Sequence, residues 1–465
     1  CARRLKLEEA MLRYARQARE SYPNSAWTMD AHRWAGNYYL LNNDAKTYVP
    51  LFKACADARP QDPESAYCHW KVAWAAYLGR EANAAALLED HLVRYPHSDK
   101  FAAALLFLGR LAERGGSLSS AQAYYRELLT VEPLSYYAAL AQESLDGRRL
   151  SAVRPDPALA ERLAGLRGKE LREDFSKISE TPETARRLKR ASLLSRVGMT
   201  DWVDKELRSY DADLGQRQLL AMELASVYAK DGDHFRALRT MKSMAPGYFR
   251  LRVDQAPTEF WHLLFPMPYP APLAKYASAR DLDPHLVAGL IRQESEFRAD
   301  AVSRAKARGL MQVLPSTGRD LTRKLKLGTY RVSMLDKPEV NINMGTYYLA
   351  HIAEAFGGHL EYVLASYNAG KSRADNWKTW ADFREPIEFI ETIPFSETRE
   401  YVLSVYRNAM VYRQVYPNLA SRASSESASA LKPVTETVRE SSAKSAAPSK
   451  RPAKSAKWPA GKRKR

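Results

Sequence analysis

Four prolines, Pro23, Pro60, Pro96 and Pro133, recur at spacings of 37, 36 and 37 residues, and this recurrence constrains the fold more than any other feature. Around them the phrases YPNSAW (22 to 27), YPHSDKF (95 to 101) and EPLSYYA (132 to 138) repeat one logic. Proline stops a helix, and a serine or aspartate beside it can cap the next. Each interval holds two helices of about 14 residues, broken by turn residues such as Gly79 or Gly115 and Gly116. The period predicts a tetratricopeptide-like helical solenoid, in which neighbouring hairpins bury each other's apolar faces. Small and aromatic residues at Ala84 to Ala86, Tyr124, Tyr125, Tyr136 and Tyr137 are its expected packing positions. From Ser151 to Ala245 the helical pattern continues with weaker repetition, as in 183 to 198 and 218 to 232, each ending at a glycine just past the helix. Residues 1 to 250 are therefore read as solenoid. The proline-rich stretch Pro257 to Pro272 places a linker at 251 to 272. Taken alone, a solenoid implies protein partners along a concave face.

Composition excludes several classes. The 465 residues, 45% hydrophobic, suffice for more than one core. No run of 18 apolar residues occurs; Phe260 to Ala274 is cut by Pro266, Pro268, Pro270 and Pro272. A signal-peptide pattern is absent from the chain. Cys1 reads either as the lipid-bearing residue of a processed lipoprotein or as the start of a fragment, and the lack of a polar spacer after it favours the fragment. Three cysteines and nine scattered histidines show no zinc-ligand spacing, so neither metal nor cofactor is expected. Cys55 and Cys68 are open to two readings, a disulfide across the turn at Pro60 and Pro63 or buried free thiols. Residues 421 to 465, rich in Ser, Ala, Lys and Pro, read as a disordered basic tail, with twelve Lys and Arg against three Glu contributing +9 of the net +17. Such a tail suits an anionic wall polymer, a phospholipid surface or nucleic acid, although a lone Trp458 offers no stacking platform.

Chemistry concentrates between Asp283 and Gln312. Asp283 is placed to cap a helix whose first residue, Pro284, needs no amide partner. In that phase Leu286, Leu290 and Glu294 fall on one apolar stripe, while Arg292, Gln293 and Glu296 point elsewhere. A carboxylate on such a stripe is disfavoured as an anion, so its pKa rises and it keeps a proton near neutral pH, as a general acid must. The same phase also describes a last-turn residue paired with an arginine.

Four motifs extend the reading: IRQESEF (291 to 297), GLMQ (309 to 312), ASYNAG (365 to 370) and ETIPFSETREYV (391 to 402). In order and spacing they resemble those of the soluble lytic transglycosylase catalytic domain. The resemblance implies a lysozyme-like, mainly α-helical domain over 273 to 420, and, for the solenoid, a superhelix that arches around a glycan strand. It implies that Glu294 is the single acid/base cleaving between N-acetylmuramic acid and N-acetylglucosamine, that Tyr367 bonds near it and holds its orientation, and that Asn368 shapes the site. Glu397 would organise the hydrogen bonds, Tyr401 line the cleft and Met311 pack beside the sugar. From the residues themselves, Ser303 lies where the chain turns back, Gly309 permits close backbone approach of a sugar, and Gln312 can donate to and accept from acetamido and hydroxyl groups. Pro394 and Ser396 look like a helix stop and a cap. The chain departs from the family pattern at Arg304, at Lys306, where glycine is usual, and at Lys371. If position 306 needs a positive φ, lysine there costs about 1 kcal/mol.

Glycosidases commonly use two carboxylates, and no second acid is placed here for a nucleophile. The resemblance implies that Glu294 protonates the glycosidic oxygen, the substrate's 2-acetamido group stabilises the positive centre, and Glu294 then takes the 6-hydroxyl proton to leave a 1,6-anhydro end. It further implies a bacterial periplasmic or cell-envelope location. Two alternatives remain: attack by water, as in a goose-type lysozyme, and a non-catalytic wall-binding scaffold.

Overall fold

A computed structural model of the chain describes residues 7 to 166 and 180 to 419. The first six residues and the basic tail lie outside them. Twenty-two α-helices, α1 to α22, run through the described residues, with short 3-10 turns and only the isolated bridges Val302–Arg308 and Arg308–Val313. The fold is all-α.

The repeating prolines sit at the turns inside successive hairpins. Pro23 lies between α1 (Glu8–Ser21) and α2 (Ala26–Leu40), and Pro60 between α3 (Ala45–Ala58) and α4 (Ser65–Leu78). Pro96 separates α5 (Ala84–Arg94) from α6 (Phe101–Arg114), and Pro133 separates α7 (Leu118–Val131) from α8 (Tyr136–Asp146). Ser25 and Ser135 accept the amides of Thr28 and Ala138 and so cap their helices, whereas α6, after Pro96, has Lys100 as its N-cap with no side-chain cap. The packing explains the small residues. A side chain at Gly109 would collide with the Tyr125 ring at 2.2 Å, and Tyr125 is fully buried. Of the three alanines, Ala84 is buried while Ala85 and Ala86 are exposed. Cys55 on α3 and Cys68 on α4, both fully buried, form a disulfide with Cα atoms 6.0 Å apart. Closing a loop of 13 residues should stabilise the folded chain by about 3 kcal/mol. Reduction, or Cys55→Ser with Cys68→Ser, should lower the denaturant midpoint correspondingly.

Helices α10 (Pro182–Arg196), α11 (Thr200–Arg208), α12 (Leu214–Lys230) and α13 (His234–Met244) continue the arm. The expected linker at 251 to 272 is instead packed structure. It contains α14 (Thr258–Leu264) and the start of α15 (Pro270–Ser278), and Phe260, Trp261, Leu264 and Phe265 are buried in the core. Two of its prolines open helices, Pro257 as the N-cap of α14 and Pro270 as the first residue of α15, while Pro266 and Pro268 lie in the short connection between them. One hydrophobic core runs from Trp70 through these helices to Leu419.

The remaining helices position the site. They are α16 (Pro284–Ser295), α17 (Pro315–Lys324), α18 (Pro338–Ala355), α19 (Leu360–Ala369), α20 (Lys371–Trp377), α21 (Pro386–Thr392) and α22 (Ser396–Val415). Helix α16 starts as its sequence dictates, with the Asp283 carboxylate accepting the His285 amide at 2.9 Å and Pro284 first. It then packs against α22 so closely that a Cβ on Gly289 would lie 2.8 Å from the Ala409 nitrogen. Ser396 does not cap α22; the N-cap is Phe395, with no side-chain cap.

Candidate active site

Helix α16 is buried all round from Pro284 to Arg292, so its core is wider than the single stripe that its spacing suggests. Arg292, expected to point away, is buried: its guanidinium donates to the Leu264 carbonyl at 2.9 Å and the Asn408 amide oxygen at 3.0 Å, and lies over the Phe265 ring. Gln293 is exposed and Glu294 is partly covered. The helix ends immediately beyond, with Glu296 and Phe297 both in the left-handed region at φ 51° and 64°. Glu296 is held there by Lys242 and Arg239 of α13.

Glu294 Oε1 accepts a hydrogen bond from the Tyr401 hydroxyl at 2.7 Å. Burial pushes its carboxyl up to about 7, against the opposing effect of the Tyr401 bond, and no second carboxylate is among the groups that shift it. At neutral pH the group thus stands ready both to give and to take a proton. Tyr401 is buried on α22, and burial followed by the charge of Glu294 holds its phenol well above the usual value, so it remains a donor.

Tyr367, on α19, does not bond Glu294. Its hydroxyl donates to the Met311 carbonyl at 2.7 Å, while Glu294 lies near enough to add to the burial that raises its pKa. The Met311 side chain is fully buried where a Gly345 side chain would otherwise stand. The polar contacts of Met311 are made by its backbone, the carbonyl with Tyr367 and the amide with Asn341. Gly309, at φ 77°, is required by the protein itself: a Cβ there would meet the Leu335 carbonyl at 2.1 Å and the Asn341 amide at 2.2 Å. Gln312 sits at φ 47° and uses its amide to donate to the Gly309 carbonyl at 2.9 Å and the Ala301 carbonyl at 3.2 Å. Only its oxygen is left for a ligand. Ser303 accepts the Ala307 amide at 3.1 Å and closes the turn. Asn368 is exposed, and its oxygen accepts the Thr398 hydroxyl at 2.7 Å across to α22; Glu397 is exposed on the first turn of that helix.

Asn341 escaped the reading of the sequence. It is fully buried on α18, accepts the Met311 amide at 2.7 Å and donates to the Arg308 and Leu335 carbonyls at 2.9 and 2.8 Å. An asparagine inside an otherwise apolar helical face was its signal. Ser295, beside Glu294, donates to the Leu310 carbonyl at 2.8 Å. Asn341, Ser295 and Tyr367 together tie the 309 to 312 loop to three helices.

Lys306 takes φ 64°, so the turn keeps the geometry that glycine would favour. It is exposed. Lys306→Gly should raise stability by about 1 kcal/mol, read as a higher denaturant midpoint.

No helix among the described residues is long and apolar enough to cross a membrane. Residues 272 to 390 match the family model described as the transglycosylase SLT domain. The chain is 35% identical over 151 residues to the soluble lytic murein transglycosylase of Salmonella typhimurium, an alignment covering 32% of this chain and 23% of that protein. It is 32% identical over 165 residues to the membrane-bound lytic murein transglycosylase C of Edwardsiella ictaluri, covering 31% and 46%. The matched stretch thus spans about a quarter of the length of the soluble relative. Among solved structures, the 70 kDa soluble lytic transglycosylase of Escherichia coli superposes with a TM-score of 0.54 at 18% identity, covering 90% of this chain and 67% of that one. An inactive mutant of the lytic transglycosylase Slt of Pseudomonas aeruginosa gives 0.52 at 22% identity, covering 88% and 67%. At these identities the likeness is one of fold.

Proposed function

We propose that this chain, which carries a transglycosylase SLT domain over residues 272 to 390, is a peptidoglycan lytic transglycosylase with Glu294 as its one acid/base. The observation that carries the reading is the Glu294 carboxyl, raised to about 7 by burial and gripped by Tyr401. In this scheme the protonated Glu294 gives its proton to the glycosidic oxygen between N-acetylmuramic acid and N-acetylglucosamine. The substrate's acetamido oxygen stabilises the anomeric centre, and the resulting carboxylate takes the proton of the muramic 6-hydroxyl as that oxygen closes the 1,6-anhydro ring. Proton and bond balance without water. Tyr401 sets the carboxylate's orientation, and Tyr367, Asn341 and Ser295 hold the neighbouring loop at 309 to 312 in place.

Helical residues up to about 250 serve as an arm beside a catalytic domain from about 273 to 420, with residues 421 to 465 holding the enzyme to anionic wall polymer or lipid. The buried disulfide and the murein-directed relatives favour the cell envelope. Pelleting with purified sacculi tests the reading against a binding scaffold. Wild type should both bind and release soluble muropeptides, while Glu294→Gln should bind and release none. Equal release by the two would remove Glu294 from the chemistry.

A further inference from the structure

The first two turns of α22 lie between two different neighbours. Tyr401 faces Glu294 of α16, while Arg399, two residues earlier and therefore on the opposite side of the helix, faces the helical arm. No side chain caps this helix, so something else must fix where it begins.

What lies there is a buried charge cluster joining the arm to α21 and α22. Glu391, in the last turn of α21, has no exposed side-chain surface, and Lys100, at the start of α6, has 5%. Their charged atoms are 3.2 Å apart. Tyr137 of α8 donates to the same carboxylate. Arg399, 3.8 Å from Glu400, adds to the positive field at Glu391 and donates to the Ile393 carbonyl at 3.0 Å, closing the turn between the two helices. Lys71 of α4, also buried, and the half-exposed Glu400, 3.7 Å from Lys100, complete the charged groups around Glu391. Burial alone would raise the Glu391 carboxyl; Lys100 first and Arg399 next hold it below its ordinary value. Around the cluster, Trp74 of α4 donates to the Thr392 hydroxyl at 3.2 Å, and Tyr136 of α8 stacks on Tyr406 of α22 at 4.2 Å.

A buried ion pair is a poor source of net stability, because desolvation offsets most of the attraction, but losing one partner leaves an uncompensated charge that must move or be hydrated. Here the charge that would move belongs to the segment that sets the first turn of α22. We infer that Lys100 of the helical arm is a positioning residue for catalysis: through Glu391 and Arg399 it fixes the start of α22 and so keeps the Tyr401 hydroxyl on Glu294. The inference rests on Glu294 being the proton donor. It makes the arm part of the active site's support as well as a neighbour of it.

The test measures kcat, KM and the pH profile on uncross-linked glycan chains for wild type, Lys100→Met, Lys100→Arg and the double variant Lys100→Met with Glu391→Gln. The double variant removes the Lys100–Glu391 pair together instead of stranding the Glu391 carboxylate, and Lys100→Arg keeps the charge, so the two variants separate positioning from a failure to fold. At unchanged melting temperature, Lys100→Met or the double variant should lose about tenfold in kcat with KM near the wild-type value, since small misplacements of a reacting group carry losses of that order. Because the Tyr401 bond lowers the Glu294 pKa, its loss should also move the alkaline limb of the profile to higher pH, and Lys100→Arg should restore both. A folded variant with wild-type kcat and an unmoved limb would overturn the inference. So would a loss of kcat without a shift of the limb, or an arginine variant as impaired as the methionine one. Failure of the underlying reading would look different: Glu294→Gln would then release products like wild type, whatever Lys100 does.

Discussion

Glu294→Gln should reduce kcat by about a thousandfold or more, within the range that general acid–base groups contribute, while leaving the fold intact. Glutamine keeps the shape and can still accept the Tyr401 hydroxyl, but it has no proton to give. A second readout accompanies the loss. In the folded chain the Glu294 carboxyl titrates near 7 against an ordinary value of 4.5. The folded state therefore holds a proton that the unfolded chain releases, and its stability falls as pH rises from 4.5 through 7. At about 1.4 kcal/mol per pKa unit the whole fall comes to about 3.5 kcal/mol. The variant, having no such group, should match wild type below pH 4.5 and be more stable above pH 7. Melting temperatures across that range check this directly, and they separate a functional carboxylate held at a cost to stability from an ordinary core residue.

Tyr401→Phe should lower kcat by tenfold to a hundredfold, on the order of the 1.5–3 kcal/mol carried by a hydrogen bond to a charged group. Its pH profile distinguishes this role from simple packing. Wild-type activity depends on protonated Glu294 and should decline as pH rises through about 7. Without the tyrosine bond the carboxyl is raised by burial unopposed, so the declining limb should move to higher pH. Tyr367→Phe should act differently. The Tyr367 hydroxyl bonds the Met311 carbonyl rather than the carboxylate, so its loss should loosen the 309 to 312 loop and leave the limb where it is.

Much of the architecture was legible because its signals are local. Pro23, Pro60, Pro96 and Pro133 mark hairpin turns for the same reason in each repeat, and Asp283 with Pro284 opens α16 through backbone chemistry that needs no partner. The stretch around Trp261 was misread because prolines at helix starts and prolines in linkers look alike until the buried face is seen. Phase alone underdetermined the site. Helix α16 is buried on all sides, so Arg292 is as enclosed as its leucines, and only the four motifs together singled out Glu294. The partner of Glu294 lies 107 residues away on α22. Asn341, Lys100 and Glu391 likewise act through contacts 30 to 291 residues distant along the chain, which no spacing rule reaches.

The central claim concerns the bond that Glu294 closes as well as the one it breaks. Mass analysis of the muropeptides released from purified peptidoglycan, by wild type and by Glu294→Gln, tests it most directly. The proposed mechanism predicts products from wild type that are lighter by one water than their hydrolysed counterparts, ending in 1,6-anhydromuramic acid, and none from the variant. Reducing ends from wild type would contradict it and make the protein a hydrolase.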